Sequence, residues 1–386
     1  MPPSGAFLPE RPPIRTVFET FQYPTLSRTP TLLRNRLYPE TMPFGSTLRE
    51  VADAAGVHIS TASRALNEAT QSMVHPRTIK KVHEAAESLE YRPNPLARGL
   101  RTNRTMTVGM VISDIENSLF GPIIAGVEET IGRTGYSLLI AEAVPHDPKA
   151  LPTVIDALVG RRVDGMILAT TTRSGEHAER LKEWRVPVVL VNRVVEGTTV
   201  PAVVGDDSKG IALAVDHLVE LGHTCIGHLA GPTTTSTGAN RLDGFVARME
   251  FHGLEHNDAT ISQASWFQLE PGYKAACELL ARSNDFTAIV AATDLIALGA
   301  YRAIRERGSE VGIDISVTGY NDIAMMDLVY PSLTSIRIPY RRMGSEAGAT
   351  LLGLIANNSE GVDEPLVTKM PPELVVRDST RRIGSA

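Results

Sequence analysis

Leu48, Val51, Ala52 and Ala55 recur at the i, i+3, i+4, i+7 spacing that keeps one face of a helix apolar. Thr47 with Glu50 three residues on reads as a capping box at the start of that helix, and Gly56, free to turn left-handed, as its end. Val57 supplies an apolar plug for the turn. A second short helix over about 59–66 points Ala62, Ala65 and Leu66 inward and leaves Ile59, Ser60, Ser63 and Arg64 facing outward. Pro76 suits the first position of a third helix, with Ile79, Val82, Ala86 and Leu89 on its buried face. Three short helices of this kind predict a small all-α helix-turn-helix headpiece, whose second helix suits a DNA major groove. The plain alternative is a three-helix bundle with no DNA role.

From Thr107 the pattern changes to short apolar runs separated by amphipathic stretches. The runs at 108–112, 136–140, 166–168, 188–191, 225–229, 288–290 and 315–319 read as buried strands. Strand and helix in alternation predict doubly wound parallel sheets, whose sites form beyond the carboxyl ends of the strands. Two lobes are expected, about 106–204 and 205–336. The chain would recross for 337–366 and again for a last strand. A cleft between lobes is a natural place for a small ligand.

Charge sharpens this division. The net charge of −6 suits a nucleic-acid binder poorly until the chain is divided. Residues 47–104 carry nine Lys/Arg against six Asp/Glu, and residues 105–386 carry 24 against 35. A basic front domain on an acidic body fits a DNA reader joined to something else. Residues 1–46 hold nine prolines and no sustained period, which predicts a disordered extension, and Met42 is an alternative start. No apolar run is long enough to span a bilayer. The N-terminus lacks a secretory pattern, so a cytoplasmic location without membrane association is expected. Cys225 and Cys277 have no metal-type spacing and read as buried, reduced thiols. No cofactor is implied.

The segments Thr47–Ala52, Gly56–Val57, Thr61–Asn67 and Tyr91–Arg101, in this order and spacing, resemble the headpiece and hinge of the lactose-repressor-type (LacI/GalR) regulators. The resemblance runs through most of the remaining chain. It implies a headpiece over 47–92, a hinge over 93–104, and a two-lobed periplasmic-binding-protein-like core over 105–386 for ligand binding and dimerisation. It also assigns roles. Ile59, Ser60 and Arg64 would read bases, Arg64 being suited to guanine. Thr47, Thr61, Ser63 and Asn67 would hold phosphates. His58 and His75 stand where the family usually has Ser, and histidine is a weaker N-cap. In the hinge, Leu100 would wedge between central base steps. Ala97 would let two hinges approach, and Arg98 and Arg101 would lie near phosphates. The alternative is an ordinary linker.

The same resemblance places ligand contacts on Asp114, Leu119, Phe120, Asn192, Arg241, Phe267, Thr293 and Asn321, with Arg193 beside Asn192. For most of these the plain alternative is a turn or cap role, and Asp206 and Asp294 read as structural. Asn321 stands where a carboxylate is usual, and Ile338 where glutamine is frequent, so a cationic ligand is disfavoured. A sugar, sugar phosphate or nucleoside fits. The function implied is a repressor-type transcriptional regulator. It would act as a homodimer on near-palindromic double-stranded operator DNA, under control of a small-molecule effector. A tetramer is left open, although the tail after Arg377 has no heptads. A second reading has a phosphorylated carrier protein in control, docking beside Arg337, Arg341 and Arg342. A third, an enzyme on a binding-protein fold, lacks a catalytic set.

Overall fold

The structure is a computed structural model, and it describes residues 46–67, 70–92, 104–144, 147, 149–173, 184, 186–283, 285–357 and 366–384. The chain divides into two compact units, Met1–Asn94 and Pro95–Ala386.

In the first unit, α1 (Leu48–Ala54), α2 (Ile59–Ala65) and α3 (Pro76–Ser88) pack together, with a 3-10 turn at Gln71–Met73. The predicted capping box is present. Glu50 N–H donates to the Thr47 hydroxyl, and Thr47 N–H donates to the Glu50 carboxylate at 2.6 Å. Gly56 has φ +67°, the left-handed turn for which glycine was expected. The core is small. Val51, Ala52, Ala62, Ala65, Val82 and Ala86 are its centre, and Leu48, Val57, Ile79 and Leu89 close it as half-buried neighbours.

The second unit holds two six-stranded sheets. Strands β1 (Thr107–Ile112), β2 (Ser137–Glu142), β3 (Gly165–Leu168), β4 (Val188–Val191), β5 (Ala202–Gly205) and β11 (Val367–Met370) form the first, in the order β11-β5-β4-β3-β1-β2. All its pairings are parallel. Strands β6 (Ile226–Ala230), β7 (Ile261–Gln263), β8 (Ala288–Ala291), β9 (Ser316–Asn321), β10 (Thr334–Arg337) and β12 (Glu373–Val375) form the second, in the order β12-β10-β9-β8-β6-β7. Only β12 runs antiparallel. The central strands β3, β4, β6 and β8 are buried at every residue, because helices cover both faces.

The helices are α4 (Phe120–Gly132), α5 (Ala150–Gly160), α6 (Asp207–Glu220), α7 (Ser236–Phe251), α8 (Leu269–Arg282), α9 (Asp294–Glu306) and α10 (Tyr340–Asn357). Helices α4 and α10 cross closely because Gly126 and Gly344 carry no Cβ. A Cβ at either would lie 2.0 Å from a carbonyl oxygen of the other helix.

The seven apolar runs are strands β1, β2, β3, β4, β6, β8 and β9, within a residue or two. The expected last strand is β12, and four further strands were not expected, namely β5, β7, β10 and β11. Each is only three or four residues long. The return to the first lobe also reaches further than 366, because β11 at Val367–Met370 pairs with β5. In each sheet the strand order reverses beside the first strand, between β1 and β3 and between β6 and β8. Ligands collect at such switch points, outside the carboxyl ends. No helix among the described residues is long and apolar enough to cross a membrane.

Candidate functional site

Helix α2 presents the proposed base-reading face. Ile59, Ser60 and Arg64 are exposed, Thr61, Ser63 and Asn67 half-buried. His58 caps the helix through its ring: Ser60 N–H donates to His58 Nδ1 at 3.3 Å, and the Ser60 hydroxyl lies 2.8 Å from the same nitrogen. His75 caps α3 in the same way, accepting from Arg77 N–H at 3.2 Å. Both histidines therefore make the cap expected of Ser, with ring Nδ1 as the acceptor. The Thr47 hydroxyl is engaged by Glu50, so a phosphate would have to displace that carboxylate. The hinge candidates Ala97, Arg98, Leu100 and Arg101 lie outside the described residues.

The ligand candidates come together at the carboxyl ends of the two sheets. Asp114 follows β1, and its carboxylate accepts from Glu116 N–H at 3.0 Å and from Gln268 Nε2, on the other lobe, at 3.4 Å. Thr293 follows β8 and caps α9 by accepting from Ile296 N–H. Asn192 follows β4 and Asn321 ends β9, with φ +66° and +106°. Non-glycine residues held at positive φ carry backbone strain of the kind that collects at binding sites. Both are nearly buried, and Asn321 accepts a hydrogen bond from the Tyr340 hydroxyl at 2.7 Å. The lobes also meet where Val194 N–H donates to the Ser236 hydroxyl at 2.9 Å and Arg173 N–H to the Thr234 carbonyl at 2.7 Å.

Arg241 is not a free arm. It is 3% exposed, its Nε donates to Asp207 at 2.8 Å, its Nη1 donates to the Ala292 carbonyl at 2.7 Å, and its guanidinium lies 3.8 Å from the Tyr320 ring centre. Burial pushes this guanidinium down, and Asp207 more than restores it, so it sits above its usual range. Leu119 and Phe120 are buried in the first core at the start of α4, which gives them a packing role. Phe267 is 8% exposed and lies under a guanidinium, at 5.9 Å from its ring centre.

That guanidinium is Arg193, which follows Asn192 and lies equally against Trp266 at 5.6 Å. It is 5% exposed. Its Nε is buried with no hydrogen-bond partner, and it forms no ion pair with any described carboxylate. Burial, with the Arg241 charge adding to it, pushes Arg193 down to about 10. The hydroxyls of Thr171 and Thr172, just beyond β3, are likewise buried without partners. Three threonines in a row directly after a buried strand were the available signal for this set, and it was missed. Asp294 behaves as the structural residue expected. It accepts from the Ser335 hydroxyl at 2.5 Å and from Ile323 N–H at 2.8 Å, and burial pushes its carboxyl up to about 7 against both bonds.

A helix-turn-helix unit joined in one chain to two parallel-sheet lobes with polar groups at their facing strand ends is an arrangement found in known regulators. The model of the bacterial regulatory proteins of the lacI family matches residues 47–94. That of the periplasmic binding protein-like domain matches 215–380. The transcriptional regulator DegA of Bacillus subtilis (strain 168) is 33% identical over 88% of this chain and 99% of its own length. The transcriptional repressor PurR of Haemophilus influenzae (strain PittEE) is 32% identical over 88% and 99%. The Lac repressor dimer bound to operator and the anti-inducer ONPF aligns with a TM-score of 0.78 at 28% identity, over 87% of this chain and 99% of that one. The regulator CelR in complex with cellobiose aligns at 0.66 and 31%, over 86% and 99%. These relatives are transcriptional regulators, not enzymes, and the chain belongs to the lacI family of DNA-binding transcriptional regulators.

Proposed function

We propose that this regulator is a repressor that binds a near-palindromic operator as a homodimer, its affinity set by a small sugar-like or nucleoside-like molecule in the cleft between its lobes. The observation that carries this reading is the convergence of Asp114, Asn192, Phe267, Thr293 and Asn321 beyond the facing strand ends, two of them at strained φ. Ile59, Ser60 and Arg64 read base edges from the exposed face of α2. Thr61, Ser63, Asn67 and the Thr47 region hold phosphates. Leu100 wedges the minor groove between two hinges brought together by Ala97, with Arg98 and Arg101 near phosphates. The protein works in the cytoplasm, where its operator is.

A second copy has a surface to meet. Met325, Leu328 and Tyr330 are 66%, 77% and 86% exposed on one loop after β9. The loop is tied to α9 by the Tyr301 hydroxyl donating to the Pro331 carbonyl at 3.1 Å. Such an exposed apolar cluster suits an isologous contact in a two-fold dimer. Control by a phosphorylated carrier protein has less support. Arg337 already pairs with Asp322 at 2.6 Å and Arg341 with Glu129 at 3.0 Å, so two of the three cations of the expected docking patch are neutralised.

Binding-site selection from random duplexes tests this function. The expected product is a palindrome with half-sites about one helical turn apart. Leu100→Ala should weaken binding to that palindrome while sparing salt-sensitive binding to random DNA. Equal loss on both would remove the wedge assignment.

A further inference from the structure

The cleft has one feature that a neutral sugar would not satisfy. Arg193 is a buried guanidinium with no carboxylate in ion-pair reach among the described residues. Its neighbour in charge, Arg241, is already matched by Asp207. A buried cation without a counter-charge is costly, and proteins as a rule pair such groups. Strands β3 and β4 lie side by side with Leu168 opposite Leu190. Thr171 and Arg193 each come three residues later, so they leave the sheet together. The Thr171 and Thr172 hydroxyls and Arg193 Nε are all buried donors without partners. Asn321 ends β9 as a neutral amide, so it adds no negative charge to the cleft. The acid at Asp294 is bonded to Ser335 and Ile323, and burial raises it to about 7, which leaves it only partly charged at neutral pH.

Guanidinium and hydroxyl donors just beyond the ends of two neighbouring strands suit an oxyanion, since charge-assisted bonds to carboxylate or phosphate oxygens are the strongest such donors make. We propose that the ligand of this cleft carries a carboxylate or a phosphate, seated on Arg193 and on the hydroxyls of Thr171 and Thr172. The Trp266 and Phe267 rings lie 5.6 and 5.9 Å from the same guanidinium. The proposal rests on the ligand-control reading and narrows it to the anionic members of the sugar and nucleoside class.

The test uses the full chain and matched probes: glucose, glucuronate and glucose 6-phosphate; ribose and ribose 5-phosphate; inosine and inosine monophosphate. Melting temperature and titration calorimetry are the readouts. Inorganic phosphate is compared with sodium chloride at equal ionic strength. The expected result is that a charged probe binds at least tenfold tighter than its neutral partner. Carboxylate against phosphate is decided by glucuronate against glucose 6-phosphate. Arg193→Met should erase the tenfold advantage and, without probe, melt no lower than the parent protein, because the lone charge is gone. Thr171→Val, a milder change, should reduce the advantage without altering the fold.

A neutral probe that binds as tightly as its charged partner overturns the proposal. So does an Arg193→Met protein that melts well below the parent, since Arg193 would then have a structural role. Should no organic probe bind, phosphate decides: it must raise the parent's melting temperature more than that of Arg193→Met, and equal shifts refute the site. A neutral molecule that changes operator affinity would leave ligand control standing and remove the oxyanion. A charged molecule that binds without changing operator affinity would do the reverse.

Discussion

Arg241 illustrates how much a residue's meaning depends on what surrounds it. From its place in Asn240-Arg241-Leu242 it reads as an arm for ligand oxygens. In the structure it is the buried half of an ion pair with Asp207, with both side chains about 4% exposed or less. Truncating one member of such a pair strands the other charge and costs about 3–5 kcal/mol. Arg241→Ala is therefore expected to lower stability by that order, and a lost ligand response in it would say little about contact. The double variant Arg241→Met with Asp207→Leu should recover most of the loss in a denaturant titration. It is the better background for ligand titration. If the single variant is as stable as the parent, the pair contributes nothing and Arg241 is free to serve the ligand alone. Arg193 is the opposite case. Its position was legible beside Asn192, but the absence of a described carboxylate partner was not, because that is a tertiary fact that no spacing encodes. The positive φ of Asn192 and Asn321 was hidden for the same reason.

At the scale of elements, hydrophobic period carried the central strands and the three headpiece helices, since each is covered on the faces its pattern names. It failed for short strands. Thr334–Arg337 is polar by composition yet buried at three of its four residues, and it is a strand only because β9 and β12 flank it. Strand β6 carries a further consequence. His228 is fully buried there, stacked on Phe245 at 4.5 Å, with Nδ1–H donating to the Val290 carbonyl at 2.8 Å. Burial pushes this imidazole down to about 4 from its ordinary 6.5, although the Val290 bond resists. Between those values the unfolded chain binds more protons than the folded one. Its contribution is full above pH 6.5 and is lost as pH falls toward 4, by about 3 kcal/mol at most. Asp294 has the opposite slope. Its folded pKa of about 7 lies above its ordinary 3.8, so its contribution is full below 3.8 and is lost as pH rises through 7. Chemical denaturation from pH 7 to pH 4 should therefore show the parent losing ground to His228→Leu and gaining on Asp294→Asn. Parallel curves for either variant would contradict the burial of that group.

At the scale of the whole molecule, family membership came from motif order and spacing along the chain. The proposed effector chemistry rests on the charge around one buried side chain. The proposed function would couple reading and ligand control through the hinge assigned to Leu100. A ligand can shift DNA affinity only by binding one arrangement of the lobes better than another, and the coupling is reciprocal. Ligand control thus predicts that the DNA-bound protein and the free protein differ in affinity for the cleft ligand by the same factor as the ligand changes operator affinity.

That factor is directly measurable. Fluorescence anisotropy with the selected palindrome, with and without a saturating probe that raises the melting temperature, gives it in one titration. The account predicts a change in specific affinity of roughly five- to 150-fold, with binding to random duplex unchanged. A probe that occupies the cleft and leaves the palindrome affinity the same would contradict it.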